Sequence, residues 1–361
     1  MSVNASAGPE RWELFRVAVG ARTEWLVLRV TGEDGTRGHG ECSDAGSLPR
    51  VVERLASGLP VDGEGGFLSR TVAGGVEQAR VDAAARRDGL PLWDWLGGEH
   101  PGEIELYANI NRVPGGRSPD DVAACAWAAV RDGFRAVKLA PFDVADPRAE
   151  IPLPALGLAR LGAARAAVGA SVALMADAHE RLTLDELAPL LGPLADLGLY
   201  WLEDGVGIAR PDELAELRSL TELTLAGGEF ASDVGEVEKV DGLVDVLMPD
   251  VKHAGGTLRA RDLARSAPGT RISFHNPSGP VATLHAAHLT GVCGGSVEPL
   301  EYAYGEASWR SAVVRGAERI GEGRLTLPDD TPGIGLDLDT DHPAVTRVWS
   351  GRLEPHPSCR G

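Results

Sequence analysis

Asp177, Glu203 and Glu229 follow one another at intervals of 26 residues, and each ends a short apolar run: VALMAD, LYWLE and LTLAGGE. One strand, one helix and two loops of a βα repeat take about that many residues. If the repeat closes into a barrel, the three carboxylates meet at its mouth. Like charges held together raise one another's pKa, so a convergent trio calls for a bound cation. Ligands that are all oxygen favour a hard ion, Mg2+ first.

The series runs on. Asp250 ends VDVLMPD 21 residues beyond Glu229, His275 ends RISFH 25 residues later, and Glu301 lies 26 residues further in SVEPLEY. A divalent ion on three carboxylates keeps positions open for a substrate carboxylate. Binding there acidifies the α-hydrogen by stabilising the enediolate left on deprotonation. The reaction then needs a base. Asp250 and His275 close successive runs, which makes them neighbours, and a carboxylate beside an imidazole orients it and raises its basicity. His179, two residues after Asp177 in MADAHERL, shares the side of Asp177 by strand alternation, as a metal ligand, general acid or substrate hydrogen-bonder. Lysine is scarce, with only Lys138, Lys239 and Lys252 among 35 basic residues. Lys239, in helix-like EVEKV, reads as solvated. Lys138 and Lys252 fall on strand ends, where an ammonium beside a metal-bound carboxylate is useful.

Positioning these groups requires a repeated scaffold. LYANIN at 106–111 and GFRAVKLAPFD at 133–143 extend the phase upstream, giving eight runs that end near 111, 140, 177, 203, 229, 250, 275 and 301. The predicted fold class is α/β, a (β/α)8-type barrel with its active site at the C-terminal strand ends, joined to an α+β capping domain. Helical periodicity with Asp, Thr or Pro near the start marks DDVAACAWAAVRDG, PALGLARLGAARAAVG, LDELAPLLGPLADLG, PDELAELRSL and TLRARDLARS. Residues 1–100 read as the cap, a three-stranded meander (WELFRVAVG, EWLVLRVTGEDG, RGHGECSDAG) followed by helices in VVERLASGL and VEQARVDAAARRDGLPLWDWLGG. Residues 101–319 read as the barrel, and the turn-rich tail 320–361 as a return to the cap.

A chain of 361 residues with 43% hydrophobic content supports a full core and exceeds one barrel. No apolar run reaches the roughly 18 residues of a membrane span. A net charge of −18, with basic residues scattered, argues against nucleic-acid binding, which rests on phosphate neutralisation. Cys42, Cys125, Cys293 and Cys359 are far apart without metal spacing, which predicts reduced thiols in a cytoplasmic protein. The expected partners are a small-molecule carboxylate and further copies of the chain in a homo-oligomer, with neither nucleic acid nor membrane.

Over nearly its whole length the chain resembles the enolase superfamily, in its mandelate racemase and muconate lactonizing enzyme-like branch. GHGECSDAG is similar to that family's capping-domain turn, LPLWDWLGG to the segment entering the barrel, and GFRAVKLA to the second strand. MADAH, WLEDG and AGGE resemble the three metal-ligand strand ends. MPDVKHAGG, SFHNPSGPVATLHAAHL and VEPLEY resemble strands six to eight. The resemblance implies metal binding by Asp177, Glu203 and Glu229, an Asp250–His275 base pair, and a glutamate that bonds the substrate carboxylate or enolate, Glu301, with Glu298 its rival. Lys138 joins this catalytic set, and Lys252 and Asn276 are the expected substrate-binding neighbours.

Two departures carry information. Many members have Lys-x-Lys on the second strand, with the second lysine a base on the face opposite the histidine; that position is Ala140. The third strand usually reads Asp-x-Asn, and here it reads Asp177-x-His179, similar to acid-sugar dehydratases such as galactonate dehydratase, in which that histidine protonates the departing hydroxyl. The implied activity is Mg2+-dependent β-elimination of water from a sugar acid. The alternatives are a racemase or epimerase with Lys252 as the opposite base, and a metal-binding barrel that does not catalyse. Specificity is expected from the cap stretches SDAGSLPRV and GEGGF.

Overall fold

The computed structural model describes residues 10–20, 23–58, 66–143, 152–294, 296–316 and 318–353. Strands β1 (Arg11–Ala18), β2 (Glu24–Thr31) and β3 (Arg37–Glu41) form an antiparallel meander. Helices α1 (Leu48–Ala56) and α2 (Gly66–Arg87) pack beside it, and the short α3 (Leu92–Trp95) leads to the barrel. The contact of β3 with α2 is backbone on backbone. A Cβ on Gly38 would stand 2.0 Å from the Ala79 carbonyl oxygen, and one on Gly40 1.9 Å from that of Gly75. The alternating glycines of RGHGE therefore let helix and strand touch directly.

Eight parallel strands follow: β4 (Glu103–Asn109), β5 (Ala136–Leu139), β6 (Ala173–Asp177), β7 (Trp201–Glu203), β8 (Leu225–Gly227), β9 (Val246–Leu247), β10 (Arg271–Ile272) and β11 (Leu300–Ala303). Each pairs with the next from β4 to β10, and β11 pairs in parallel with β4, Leu300 against Leu106. The remaining junction is the single parallel bridge Ile272–Val297, where the Glu298 N–H donates to the Ile272 carbonyl at 2.8 Å. Tyr107, Met175, Trp201 and Val246, each from a different strand, belong to one buried cluster that fills the ring.

The outer helices are α4 (Pro119–Arg131), α5 (Leu153–Val168), α6 (Leu184–Leu187), α7 (Leu191–Asp196), α8 (Pro211–Leu220), α9 (Val234–Glu238), α10 (Thr257–Arg265) and α11 (Pro280–Thr290). Helix α4 starts in a capping box, Ser118 Oγ accepting from the Asp121 N–H while the Asp121 side chain accepts from the Ser118 N–H. LDELAPLLGPLADLG, read as one helix, is two. A 3-10 turn at Ala188–Leu190 separates α6 from α7, and Pro189 within it has no N–H to continue the ladder.

The tail is shared between the domains. Strands β12 (Val314–Gly316) and β15 (Leu336–Leu338) pair with each other, and β13 (Arg319–Gly321) and β14 (Arg324–Thr326) form a hairpin. Strand β14 lies antiparallel on β4, Arg324 against Glu105, so a boundary at 319/320 falls inside a hairpin held by the barrel. The tail reaches the small sheet with β16 (Val345–Gly351), which pairs with β1. Asp82 of α2 ties strand, helix and tail together. Buried, it accepts from the His39 and Ile334 N–H groups, both at 2.8 Å, and from Arg86 Nε at 2.9 Å.

The small domain also grips the barrel loops that follow β9 and β10. Arg70 donates to the His253 carbonyl at 2.7 Å and Gln78 to that of Val251 at 3.1 Å. Glu77 accepts from the Thr257 and Leu258 N–H groups at the start of α10, at 2.7 and 3.0 Å. Glu41, at the end of β3, accepts from Gly279 and Ala282 at the start of α11, at 2.7 and 3.0 Å. Each is a carboxylate on a helix N-terminus, where unpaired N–H groups and the helix dipole favour it. Among the described residues no helix is long and apolar enough to cross a membrane. Cys42, Cys125 and Cys293 are free thiols, and Cys359 lies outside the described residues.

Candidate active site

Parallel register sets Asp177 beside Glu203 at the ends of β6 and β7, with Lys138 of β5 next to them. Lys138 is fully buried. Its Nζ lies 2.7 Å from Glu203 Oε1, 2.8 Å from Glu301 Oε1 and 3.4 Å from Asp177 Oδ2. Burial disfavours its charge, but Glu203 and Glu301 outweigh that and hold its pKa well above the usual lysine value. Glu301 is fixed further by Asn109 Nδ2 at 2.6 Å and the Asn276 N–H at 2.7 Å. Burial and the nearby Asp177 push Glu203 up to about 8 against the pull of Lys138. Asp204 is raised by burial and by Glu229, Asp177 and Glu203 around it.

Two histidines flank this cluster, each with its own aspartate. His275 places Nδ1 2.9 Å from Asp250 Oδ2 and Nε2 2.7 Å from Glu229 Oε2. Burial opposes its charge, yet Glu229, Glu301 and the bond to Asp250 hold its pKa well above the ordinary imidazole value. His179 places Nδ1 2.7 Å from Asp143 Oδ1 and Nε2 2.8 Å from Asp177 Oδ2. Its φ of +46° puts it in the left-handed region, and its N–H bonds Asp177 Oδ1 at 3.0 Å. Asp177 and the bond to Asp143 overcome burial and lift its pKa to about 11. The strands that lead to these histidines, β6 and β10, are four places apart in a ring of eight, so they stand on opposite walls. Both line a cavity of about 630 Å3 together with Asp177, Glu229 and Asp143.

The donor set suits a hard divalent cation. Asp177, Glu203 and Glu229 are buried carboxylates on consecutive strand ends, and Asp177 Oδ2, although close to His179 Nε2, has no hydrogen bond of good geometry. Burial first, and then the neighbouring carboxylates, raise the pKa values of Glu203 and Asp204, as expected for acidic groups crowded away from water. Among the described residues no three His, Cys, Asp or Glu are drawn up at ligating spacing. The reason is visible, since each carboxylate turns to a cation of the protein: Asp177 to His179, Glu203 to Lys138 and Glu229 to His275. The chemistry of the donors fits the ion.

Several expected residues stand elsewhere. Lys252 is fully buried behind Asp250, 2.8 Å from its Oδ2 and bonded to Ser278 Oγ, so it faces neither the cavity nor the side opposite His275. Strand β9 stops at Leu247, so Lys252, read as a strand-end residue, lies five residues past the strand in the loop that follows. Asn276 spends its amide N–H groups on Thr283 Oγ1 and the Glu301 carbonyl; it supports Glu301 and does not reach the cavity. Glu298 bonds Tyr200 OH and Arg271 near the opposite ends of the strands, which leaves Glu301 as the glutamate of the mouth. Ala140 is buried beside Asn111 and Arg117, off the cavity wall. Asp143, the partner of His179, was missed although it ends the run GFRAVKLAPFD. Phe67, Arg112, Phe230 and His253, which also line the cavity, carried no spacing signal.

Residues 121–342 match the family described as enolase C-terminal domain-like. D-xylonate dehydratase of Haloferax volcanii is 27% identical over 354 residues, covering 88% of this chain and 84% of that protein. D-galactonate dehydratase of Ralstonia nicotianae is 26% identical over 346 residues, covering 87% and 89%. The solved mandelate racemase/muconate lactonizing enzyme from Jannaschia sp. CCS1 has a TM-score of 0.77 at 24% identity, covering 91% of this chain and 94% of its own. Its counterpart from Sulfitobacter sp. has a TM-score of 0.80 at 21% identity, covering 92% and 94%; these two likenesses bear on the fold alone. The three carboxylate strand ends, the Asp250–His275 pair and Glu301 all fall within the matched span, and the chain belongs to the enolase superfamily, in its mandelate racemase and muconate lactonizing enzyme branch.

Proposed function

We propose that this protein is a Mg2+-dependent dehydratase of a hydroxylated carboxylate, a sugar acid, which loses water across its α and β carbons and leaves as a 2-keto acid. One observation carries the reading: two histidines, each backed by its own aspartate, stand on opposite walls of a cavity that Asp177 and Glu229 also line, with Glu203 and Lys138 buried beside Asp177. The sugar-acid dehydratases among the relatives support it.

Asp177, Glu203 and Glu229 would hold Mg2+, which when bound supplies positive charge for the substrate carboxylate and makes the α-hydrogen more acidic. Lys138, buried between Glu203 and Glu301, holds these two carboxylates in place with a fixed ammonium. His275, as the neutral imidazole with Nδ1–H held by Asp250 and with Nε2 free of its own proton and of Glu229, takes the α-proton on Nε2. The C–H electron pair becomes the new C=C bond. The β C–O bond breaks as His179, in its protonated form, gives its Nε2 proton to the leaving hydroxyl, and Asp143 holds the ring from the other side. The enol then tautomerises to the keto acid. Racemisation with a lysine as the second base is disfavoured, because Ala140 has no proton to exchange and Lys252 stands on the side of Asp250.

A panel of aldonic acids assayed for 2-keto acid release with Mg2+ tests the reading. The expected result is release from at least one acid, abolished by EDTA and restored by Mg2+. Interconversion of α-epimers without keto acid would overturn it.

A further inference from the structure

The cavity wall changes character from one side to the other. On the side of β4 stand Asn111, Arg112 and, from the loop after β3, Asp44. Arg112 is already met by two carboxylates, Asp44 at 2.8 Å and Glu306 at 3.3 Å. Across the ring, just after β8, Phe230 leaves 50% of its surface open and meets Phe67, at the start of α2, edge to face with ring centroids 5.6 Å apart. His253 packs against both rings, at 4.7 Å from Phe67 and 5.8 Å from Phe230, with Nδ1 on Thr71 Oγ1. A half-open phenyl ring beside a cluster of charges gains nothing from water. It gains when an apolar group covers it.

We infer that Phe67 and Phe230 form a specificity wall for an apolar chain end, so that the preferred substrate is a deoxy-terminated sugar acid, with a methyl where the common acids carry a hydroxymethyl. This rests on the dehydratase reading of the same site. The polar wall of Asp44, Asn111 and Arg112 meets the inner hydroxyls, and the aromatic wall meets the terminus. A terminal hydroxyl pressed on the two rings would leave water without a new partner, whereas a methyl there buries apolar surface.

The test uses matched pairs of hexonates, identical at C2 to C5 and differing only in methyl or hydroxymethyl at C6. They are assayed with the Mg2+-loaded wild type, Phe230→Asn and Phe67→Ser. The expected result is a kcat/KM for the methyl member higher by about 10-fold or more, a ratio typical of such a difference in an apolar pocket. That ratio should fall toward one in both variants, whose folding is checked by thermal unfolding. Equal turnover of the pair, or preference for the hydroxymethyl member, overturns the wall while keto-acid release leaves the dehydratase reading standing. If no pair yields keto acid, the same pairs are titrated calorimetrically. Tighter binding of the methyl members, lost in the variants, keeps the wall and removes the dehydratase reading. Equal binding or none overturns the wall.

Discussion

At the scale of single residues, Glu203 bears the most. It lies between Lys138 and Asp177 and takes Trp201 Nε1 on its second oxygen at 3.2 Å. Glu203→Gln keeps an acceptor for Lys138 but removes one of three carboxylate charges. We predict that calorimetric titration of this variant finds tight Mg2+ binding gone and turnover lost, with thermal unfolding little changed. Wild-type Mg2+ affinity would remove Glu203 from the ligand set. The trio, the Asp250–His275 pair and Glu301 were legible because each ends a strand or follows one closely in a regular repeat. Lys252 and Asn276 sit in the loops after β9 and β10, outside the cavity lining, where the strand repeat no longer sets side-chain direction. Asp143 escaped notice because its link to His179 spans 36 residues and exists only in space.

At the scale of elements, the small domain sets the base. Glu41 seats the start of α11, just beyond His275, and α2 holds the loop that carries Asp250. Gly40 is what lets β3 lie close enough to do this. Gly40→Ala would drive a Cβ into the Gly75 carbonyl, a backbone atom with little room to yield. We predict a loss of about 1–3 kcal/mol, as for overpacking, together with a lower kcat from displacement of Glu41. An unchanged melting temperature would contradict this. Helix α11 was not read as a helix, because every residue from Pro280 to Leu289 is buried and no polar face marks the period. The first half of α2 was read in part as a loop, GEGGF, of which residues 63–65 lie outside the described residues and Gly66–Phe67 begin the helix.

At the scale of the molecule, Asp82 joins the small sheet, α2 and the tail. Burial raises its pKa, but Arg86 and the hydrogen bond from His39 outweigh this and hold it at about 2. An aspartate in an unfolded chain titrates near about 3.9. Its contribution to stability is therefore present above that pH and is lost as pH falls toward about 2. Asp82→Asn removes the buried charge partner of Arg86 and leaves it only the half-exposed Asp337, with an expected loss of about 3 kcal/mol at neutral pH. In urea unfolding the gap between wild type and variant should close as pH falls from about 4 to about 2, and a gap independent of pH would contradict the account. The central claim is that one histidine removes the α-proton and the other expels the hydroxyl. Proton NMR in D2O on His179→Asn and His275→Asn, with a substrate of the wild type, tests it most directly. His179→Asn should exchange the α-hydrogen for deuterium with elimination slowed by roughly 100-fold or more, and His275→Asn should do neither. Elimination at the wild-type rate in His179→Asn, or α-exchange retained in His275→Asn, would contradict it.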